Sequence, residues 1–331
     1  MLLFNNQQTQ AVIANWQQFA VNQQTLLGNA SGELIGNAHA LPRDVWQRWE
    51  TEAVPIQRDI LAVFNDLAST VSSPIHIGEI VNNFMTVTDS GEVNVSLDGR
   101  SDAKTDQPVF DYHGTPVPII DSVFSYGWRQ MEAARSKGFN LDAAPRANAS
   151  RKVAERLEDL ALEGDAKIIV GGNQLYGLRN HPKRNVRATG VALNGATGAQ
   201  WKAEIVALLK MLHDNNFRVS VTLYLNWDDW FYASNTDFHA EPNSKSILDK
   251  IKEIAGVGNI VPASRVEANE MFAVVKSREV VQVLNAMPPV TLAKFRKELT
   301  DDYAFQRMAS AAVEIRFDAE DQCGIAHSAA P

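Results

Sequence analysis

Two adjacent carboxylates, Asp228 and Asp229, lie between Trp227 and Trp230 and are the residues most suggestive of catalysis. A pair of carboxyl groups beside a glycosidic bond can serve as acid and as base or nucleophile. Neighbouring residues of a helix do not face each other, however, and Asp228 also suits the N-terminal cap of a helix. We therefore interpret Asp228 as a cap and keep a site near Trp227 and Trp230 as an alternative hypothesis.

The single cysteine, Cys323, excludes an internal disulfide and a cysteine-based zinc site, because both require further cysteines. Cys323 and His327 could act as nucleophile and base. Such a pair normally has a third group that orients the base, and the sequence offers none nearby. We predict that this C-terminal tail is frayed and chemically inert.

Other catalytic and ligand-binding patterns are missing from the sequence. No two of the seven histidines are three to five residues apart, so the helical zinc pair is absent. Gly171 and Gly172 follow a strand-like run but lack the spacing of a phosphate-binding or dinucleotide-binding loop. A G-x-S-x-G elbow is also absent. We expect no metal, no cofactor and no enzyme activity.

The composition is that of an ordinary globular chain, with 331 residues, 45% hydrophobic and 21% charged. This length allows two domains or one elaborated domain. A net charge of −8 argues against a chain-wide polycation that neutralises nucleic-acid phosphates. There is no apolar run of membrane-spanning length and no secretory leader pattern, so we expect synthesis and folding in a cytosol.

The strongest element signal is an amphipathic helix over residues 145–164. Val153, Leu157, Leu160 and Ala161 recur at the spacing of one helix face, while the charged residues, including Glu158, fall largely elsewhere. Gly164 suits the left-handed residue that ends such a helix. A strand over residues 165–170 should follow.

The N-terminal segment predicts two helical regions. Apolar residues including Trp16 and Phe19 recur at helical spacing, and the chain then becomes an extended strap. A helix this short needs a packing partner, which could be its own domain or a neighbouring subunit. A second helical region begins near Leu41, and Pro55 should kink or divide it.

Residues 75–110 change to a strand-like pattern. We predict one strand before the turn Asp89-Ser90-Gly91 and a second over 92–100, in which Val93, Val95 and Leu97 alternate. Residues 101–107 form a polar tip, and 109–126 return as an edge strand. An isolated ribbon is marginally stable in water, so it must be covered by its own domain or by another chain.

The basic residues Arg179, Lys183, Arg184 and Arg187 fall in a predicted loop. They suit a contact with another subunit or with nucleic acid, or simply a solvated basic loop, and the sequence does not choose between them.

The rest of the chain alternates helices and strands. Residues 198–266 predict helix, strand, helix, helix and strand, with Val219, Val221, Leu223 and Leu225 alternating in the first strand. Strands follow around Val274 and Val281. A last strand within 308–324 places Val313, Ile315 and Phe317 on one face and Glu314 and Arg316 on the other.

The helix over 145–164 and the turn after it resemble a segment of the major capsid proteins of tailed double-stranded DNA bacteriophages, which have the Hong Kong 97-type coat fold. The related encapsulin shells share this fold. The residues that carry the resemblance are Gly171, Gly172, Tyr176, Gly177, Leu178 and Asn180. The ending CGIAHSAAP is similar to the tails of such chains, and the other elements follow in the order of this family.

The resemblance implies an α+β fold with defined segments. These are an N-arm at 1–40, N-terminal helices at 41–74, an E-loop hairpin at 75–118, a peripheral domain at 119–197 with a spine helix at 145–164, an axial domain at 198–270, and closing strands with a C-terminal tail at 271–331. No long, charged, coiled-coil-like segment precedes the N-arm in this sequence. We therefore expect scaffolding from a separate protein or from a segment that is removed.

The implied function is structural. Pentamers and hexamers of such a chain tile an icosahedral virion head, assembled in the host bacterial cytoplasm, around double-stranded DNA held by weak contacts. Implied partners are further copies, a portal, a scaffold and a decoration protein, with no membrane. Candidate intersubunit contacts are Trp16, Phe19, Ser101, Lys104, Arg179, Lys183, Arg184 and Arg187.

Three further possibilities bear on this resemblance. Lys104 lies where one branch of the family cross-links its subunits, but we do not favour that role here. An encapsulin compartment that holds enzyme cargo is the alternative within the same fold. A cytosolic α/β enzyme with a site near Trp227 and Trp230 is the alternative of another class.

Overall fold

The structure, a computed structural model, describes residues 10, 13–14, 17–18, 21, 61–91, 93, 97, 106–137, 143–239 and 245–329. Residues 1–53 are a separate unit, of which the described positions are helical and exposed. In the second unit the helices are α1 Val63–Val71, α2 Trp128–Lys137, α3 Ala143–Leu162, α4 Gly198–Asp214, α5 Trp227–Asn235 and α6 Ile247–Lys252. Within the described part of the chain, none has the length and apolar character needed to cross a bilayer.

Thirteen strands complete the second unit. They are β1 Ser72–Pro74, β2 Val81–Val87, β3 Phe110–Pro116, β4 Ile119–Tyr126, β5 Gly164–Val170, β6 Asn173–Tyr176, β7 Asn185–Ala188, β8 Val221–Asn226, β9 Val257–Ala263, β10 Met271–Val274, β11 Val281–Ala293, β12 Tyr303–Ile315 and β13 Ile325–Ala329.

A four-stranded sheet has the order β1-β11-β12-β4, and the long strands β11 and β12 form its centre. The predicted amphipathic helix is confirmed as α3, which packs against β12 and β4. Val153 and Leu157 contact Ala309 and Ala311, because the apolar stripe of α3 lies over the small residues of β12. The helix therefore supports the sheet from one face.

A five-stranded mixed sheet has the order β7-β13-β10-β8-β9, and α4 packs against β13 and β7. The predicted apolar face of α4 is confirmed, since Trp201, Ile205 and Leu208 are fully buried. The predicted alternation in β8 is wrong. Residues Val221 to Leu225 are all buried because β8 is a central strand covered on both faces, whereas Val219 precedes the strand and is 51% exposed.

The C-terminal tail is a buried strand, so the prediction of a frayed end is wrong. Strand β13 lies between β7 and β10, where Cys323 just before it and His327 within it are buried. The stretch predicted as the last strand ends at Ile315, in β12. Residues 185–188, predicted as loop, form β7 in parallel with β13. Long-range pairing creates both strands, and the small, polar local sequence did not signal them.

The turn after α3 depends on glycine. Gly164 has a φ of +66°, as predicted for the residue that ends the helix. A Cβ atom at Gly164 would lie 2.4 Å from the Leu175 carbonyl oxygen, and one at Gly177 would lie 2.5 Å from the Gly164 nitrogen. The two glycines allow β5 and β6 to return close beneath the helix end.

A buried carboxylate joins α3 to α1. Glu158, predicted on the charged side of α3, is fully buried. Its Oε1 accepts hydrogen bonds from the backbone N–H groups of Ala62 and Val63 at 3.1 and 2.9 Å, and its Oε2 accepts one from Phe64 at 2.8 Å. Because the first N–H groups of a helix lack intrahelical partners, this anion caps α1 and complements its dipole.

We expect Glu158→Ala to lower the free energy of unfolding by about 3 kcal/mol, because it leaves buried N–H groups without an acceptor. Glu158→Gln should cost less, since it keeps one acceptor oxygen. Urea denaturation of unassembled chain measures both values. Lys152→Ala, on the exposed side of α3, is the control and should change the value by less than about 0.5 kcal/mol. Equal losses in all three variants would contradict the capping role.

Candidate intersubunit surface

Strands β2 and β3 form a two-stranded antiparallel ribbon, which we call the ribbon. Its register runs from Val81 opposite Pro116 to Val87 opposite Phe110. Strand β2 pairs with β3, whereas most of residues 92–100, predicted as a strand beside β2, lie outside the described residues. Among the described residues of that stretch, Val93 and Leu97 lie outside the strands and are 90% and 109% exposed. The register is set at the base, where Val117 N–H donates to the Ile80 carbonyl.

A buried carboxylate anchors the base of the ribbon. Glu314, at the end of β12, is fully buried, although its alternation with apolar residues predicted the solvent side. It accepts hydrogen bonds from Asn82 of the ribbon at 2.6 Å, from Gln282 of β11 at 2.7 Å and from Arg316 at 2.7 Å. Three donors compensate the burial of this charge. They fix the point at which the ribbon leaves the four-stranded sheet.

A close backbone approach forms the second anchor. Gly114 N–H of β3 donates to Oδ1 of Asn173, the first residue of β6, at 3.1 Å. A Cβ atom at Gly114 would lie 2.5 Å from Asn173 Nδ2 and 2.6 Å from Asn83 Oδ1. The missing side chain at Gly114 lets β3 lie close to the side chains of Asn173 and Asn83.

Aromatic rings fill the space between the two anchors. The Phe317 ring lies 4.6 Å from His113 and 5.6 Å from Phe84, measured between ring centroids. Beside these rings is a cavity of about 230 Å³, also lined by Tyr176 and His181. Burial, and then the charges of Arg184 and Lys183, lower the pKa of His181 from 6.5 to about 4. The imidazole is therefore neutral at neutral pH.

Beyond its base the ribbon exposes a series of large apolar side chains, which we call the ribbon surface. Its members are Met85 at 50%, Val87 at 44%, Val109 at 64%, Phe110 at 51% and Tyr112 at 67% exposure. Isolated exposed apolar residues are common, but a contiguous set on a two-stranded ribbon is typical of a surface that another molecule covers.

A second apolar area lies toward the Tyr303 end of the four-stranded sheet, and we call it the sheet surface. It consists of Val123, Leu292, Phe295 and Leu299, which are 49%, 48%, 91% and 92% exposed. Val123 and Leu292 share a face, because each lies opposite Gln306. The loop that presents Phe295 and Leu299 is ordered by Arg296, which stacks on Tyr303 at 3.7 Å.

The four basic residues predicted as contacts have partners within the chain. Arg179 binds Glu270 at 2.7 Å and Glu163 at 2.8 Å. The remaining pairs are Arg187 with Glu204 at 2.7 Å, Lys183 with Asp321 at 2.5 Å, and Arg184 with the His181 carbonyl at 2.8 Å. A simple solvated loop is therefore the wrong description. Contact with another subunit or with nucleic acid stays a prediction.

A buried ionic network holds β13 in place. His327 Nε2 lies 2.8 Å from Glu270 Oε1, and its ring stacks on Phe272. Arg184 donates to His327 Nδ1 at 3.3 Å, which places the imidazole proton on Nε2. Burial alone would raise the pKa of Glu270, but hydrogen bonds from His327 and Arg179 hold it near 2. No local sequence pattern indicates this network, because its members lie far apart along the chain.

The alternative catalytic site does not bring its carboxylates together. Asn226 caps α5 by accepting from Asp228 N–H, so the prediction of Asp228 as the cap is wrong by two residues. Asp228 is exposed, whereas Asp229 is buried and accepts from Asn269 N–H at 2.7 Å. The side chain of Asp229 thus stabilises a loop. Among the described residues, no three metal-ligating side chains form a cluster.

Four predicted contact residues, Trp16, Phe19, Ser101 and Lys104, lie outside the described residues. The ribbon surface and the sheet surface were not predicted residue by residue. The sequence indicated them only indirectly, through strand-like alternation of apolar residues in a ribbon with no predicted element to cover it.

Known proteins identify the fold. The model of a family of unknown function, DUF6260, matches residues 36–328. The capsid of Myoviridae phage XM1 is 12% identical with a TM-score of 0.71, covering 89% of this chain and 100% of that chain. Microbacterium phage Oxtober96 gives 12% identity and a TM-score of 0.60, covering 87% and 97%. A comparison with curated proteins gave no match.

A virus-like particle from Pyrococcus furiosus is similar at a lower TM-score of 0.53, with 12% identity and coverage of 80% of this chain and 94% of that chain. The mixture of helices and sheets and these likenesses show that the expected Hong Kong 97-type coat fold is correct. The division into N-arm, E-loop, peripheral and axial domains stays a prediction.

The Glu270 network predicts a defined acid sensitivity. Because the folded-state pKa of Glu270 is lowered from 4.5 to about 2, its stabilisation is complete above pH 4.5 and is lost as pH falls toward 2. In the wild type, the free energy of unfolding should fall as the pH decreases from 4.5 to 2. In Glu270→Gln this fall should be smaller by about 2 kcal/mol. Urea denaturation at several pH values measures this, with exposed Glu79→Gln as the control. A wild-type pH profile in Glu270→Gln would contradict the network's role.

Proposed function

The chain belongs to the family of unknown function DUF6260, and we propose that it is a structural major capsid protein without enzyme activity. Many copies form pentamers and hexamers that tile an icosahedral shell around double-stranded DNA. The single observation that carries this proposal is the ribbon surface, an apolar face left uncovered by the described part of its own chain, on a fold shared with phage capsids.

The positions of the two apolar surfaces support assembly into rings. The ribbon leaves the sheet at Glu314, near one end of β12, and the sheet surface lies toward Tyr303 at the other end. A strand rises about 3.3 Å per residue, so roughly 30 Å separates them along β12. Different surfaces at opposite ends of one chain make head-to-tail contacts, which close into rings when the rotation between copies permits.

The segments take their roles from the shared fold. Residues 1–40 are the N-arm, 75–118 the E-loop containing the ribbon, and 145–164 the spine helix of the peripheral domain. Residues 198–270 are the axial domain, which meets its copies at the centre of each ring. Trp16, Phe19, Ser101 and Lys104, with the four basic residues, complete the contacts between subunits.

Further partners follow from the same proposal. A portal, a scaffold and possibly a separate decoration protein would complete the particle, which is assembled in the host bacterial cytoplasm and becomes the virion. The net charge of −8 suits a wall that encloses DNA through weak contacts.

An encapsulin-like compartment is the second candidate, supported by the likeness to the Pyrococcus furiosus particle. Its TM-score of 0.53 is lower than the 0.71 of the phage capsid, so the support is weaker. Particles purified from infected cells separate the two candidates. A phage head contains genomic DNA and has one portal vertex, whereas a compartment contains protein cargo.

We expect the wild-type chain to form shells, seen as a large species by size-exclusion chromatography and as closed particles by negative-stain microscopy. Phe110→Asp combined with Tyr112→Asp should remain as folded subunits, because charges replace the apolar contact. The protein concentration needed for assembly should rise by at least about tenfold, the effect of losing about 1.4 kcal/mol at each contact.

Ile169→Asp on β5, 57% exposed and outside both apolar surfaces, is the matched control and should assemble as wild type does. Circular dichroism confirms that the double variant is folded. Assembly of the double variant at the wild-type concentration, or a wild-type chain that stays a monomer or dimer, would contradict the proposal.

A further inference from the structure

The cavity beside the base of the ribbon contains titratable groups that assembly does not require. The ribbon contributes Phe84 and His113, and the body contributes Tyr176, His181 and Phe317. Lys183 also lines the cavity, and its Nζ lies 5.9 Å from the centroid of the Phe317 ring. The cavity lies between the ribbon and the body.

The cavity is lined by no carboxylate among the described residues, and its titratable members are His113, Tyr176, His181 and Lys183. Nearby carboxylates already have partners. Asp321 binds Lys183. Asp111 lies 3.5 Å from His113. A new positive charge on His181 would therefore face Lys183 and Arg184 without a counter-charge in the cavity.

His181 is also held in one protonation state by a backbone hydrogen bond. Its Nδ1 accepts from Lys183 N–H at 3.3 Å, so the neutral ring carries its proton on Nε2. The ring packs edge-on against Tyr176 at 5.6 Å and beside Phe317 at 5.8 Å. A second proton must add to Nδ1, which would break the bond to Lys183 and place a cation against Lys183 and Arg184.

We propose that this cavity is an acid-responsive latch, in which protonation of His181 separates the base of the ribbon from the body. In the closed state the imidazole is neutral and buried. In the open state water solvates the imidazolium and the distance to Lys183 is free to increase. The anchors at Glu314 and Asn173 keep the ribbon attached while the contacts of Phe84 and His113 with Phe317 are lost.

The difference between the pKa of His181 in the closed and the open state determines how strongly opening depends on pH. The pKa of His181 is about 4 in the closed structure, against its ordinary value of 6.5. Opening therefore takes up a proton between these two pH values. The ratio of open to closed molecules should rise by up to about tenfold for each unit of pH, and by about 300-fold over the whole interval.

Electron paramagnetic resonance measures the opening directly. Met85→Cys on the ribbon and Ile169→Cys on β5 are both exposed and accept nitroxide labels, whereas the single native thiol, Cys323, is buried. Labelled chain is diluted into unlabelled chain so that only distances within one molecule are recorded. We expect one distance at pH 7.5 and a growing, longer distance as the pH falls to 4.5.

His181→Asn should remove the pH response. Lys183→Gln should shorten the pH interval over which the latch opens, because loss of the neighbouring charge raises the pKa of His181 in the closed state toward 6.5. The matched control is His213→Asn, at the exposed end of α4, which should respond as wild type does. A single unchanged distance in wild type, or a wild-type response in Lys183→Gln or in folded His181→Asn, would overturn the latch. This property belongs to one chain, so the outcome is independent of whether the chain forms shells.

Discussion

The hydrogen bonds to the buried carboxylate of Glu314 determine where the ribbon leaves the body, and the rest of the architecture depends on that point. Donors from β2, β11 and Arg316 converge on this one group, so the ribbon and the central strands of the sheet hold a fixed relation. Glu158 joins α3 to α1, and Glu270 joins β13 to Arg179. Each buried anion ties together segments that are distant in sequence, and each would destabilise the fold if one partner were lost.

A ribbon that is anchored at its base and has an uncovered apolar face has a direct consequence for function. Burial of apolar surface is worth about 25 cal/mol per Å², and a two-stranded ribbon has no second layer of its own to provide it. A further copy of the same chain can provide that layer many times over in a closed shell. In the proposed shell, modest contacts of this kind would sum to a stable particle.

The sequence predicted the elements whose signal is local. The apolar stripe of α3, its end at Gly164 and the buried face of α4 all follow from spacing of 3.6 residues and from glycine conformation. The sequence did not predict which strands pair or which distant side chains come into contact. Alternation placed Glu314 in solvent, because a pattern cannot reveal that Asn82 and Gln282 approach from other strands. The short run of β13 looked like a frayed tail, since only pairing with β7 and β10 makes it a central strand.

Electron cryomicroscopy of the assembled particle would show directly what covers the ribbon surface. We expect closed shells in which Phe110 and Tyr112 of every copy are covered by a neighbouring copy. A map in which the ribbon lies against its own body, or in which these side chains remain in solvent, would contradict it.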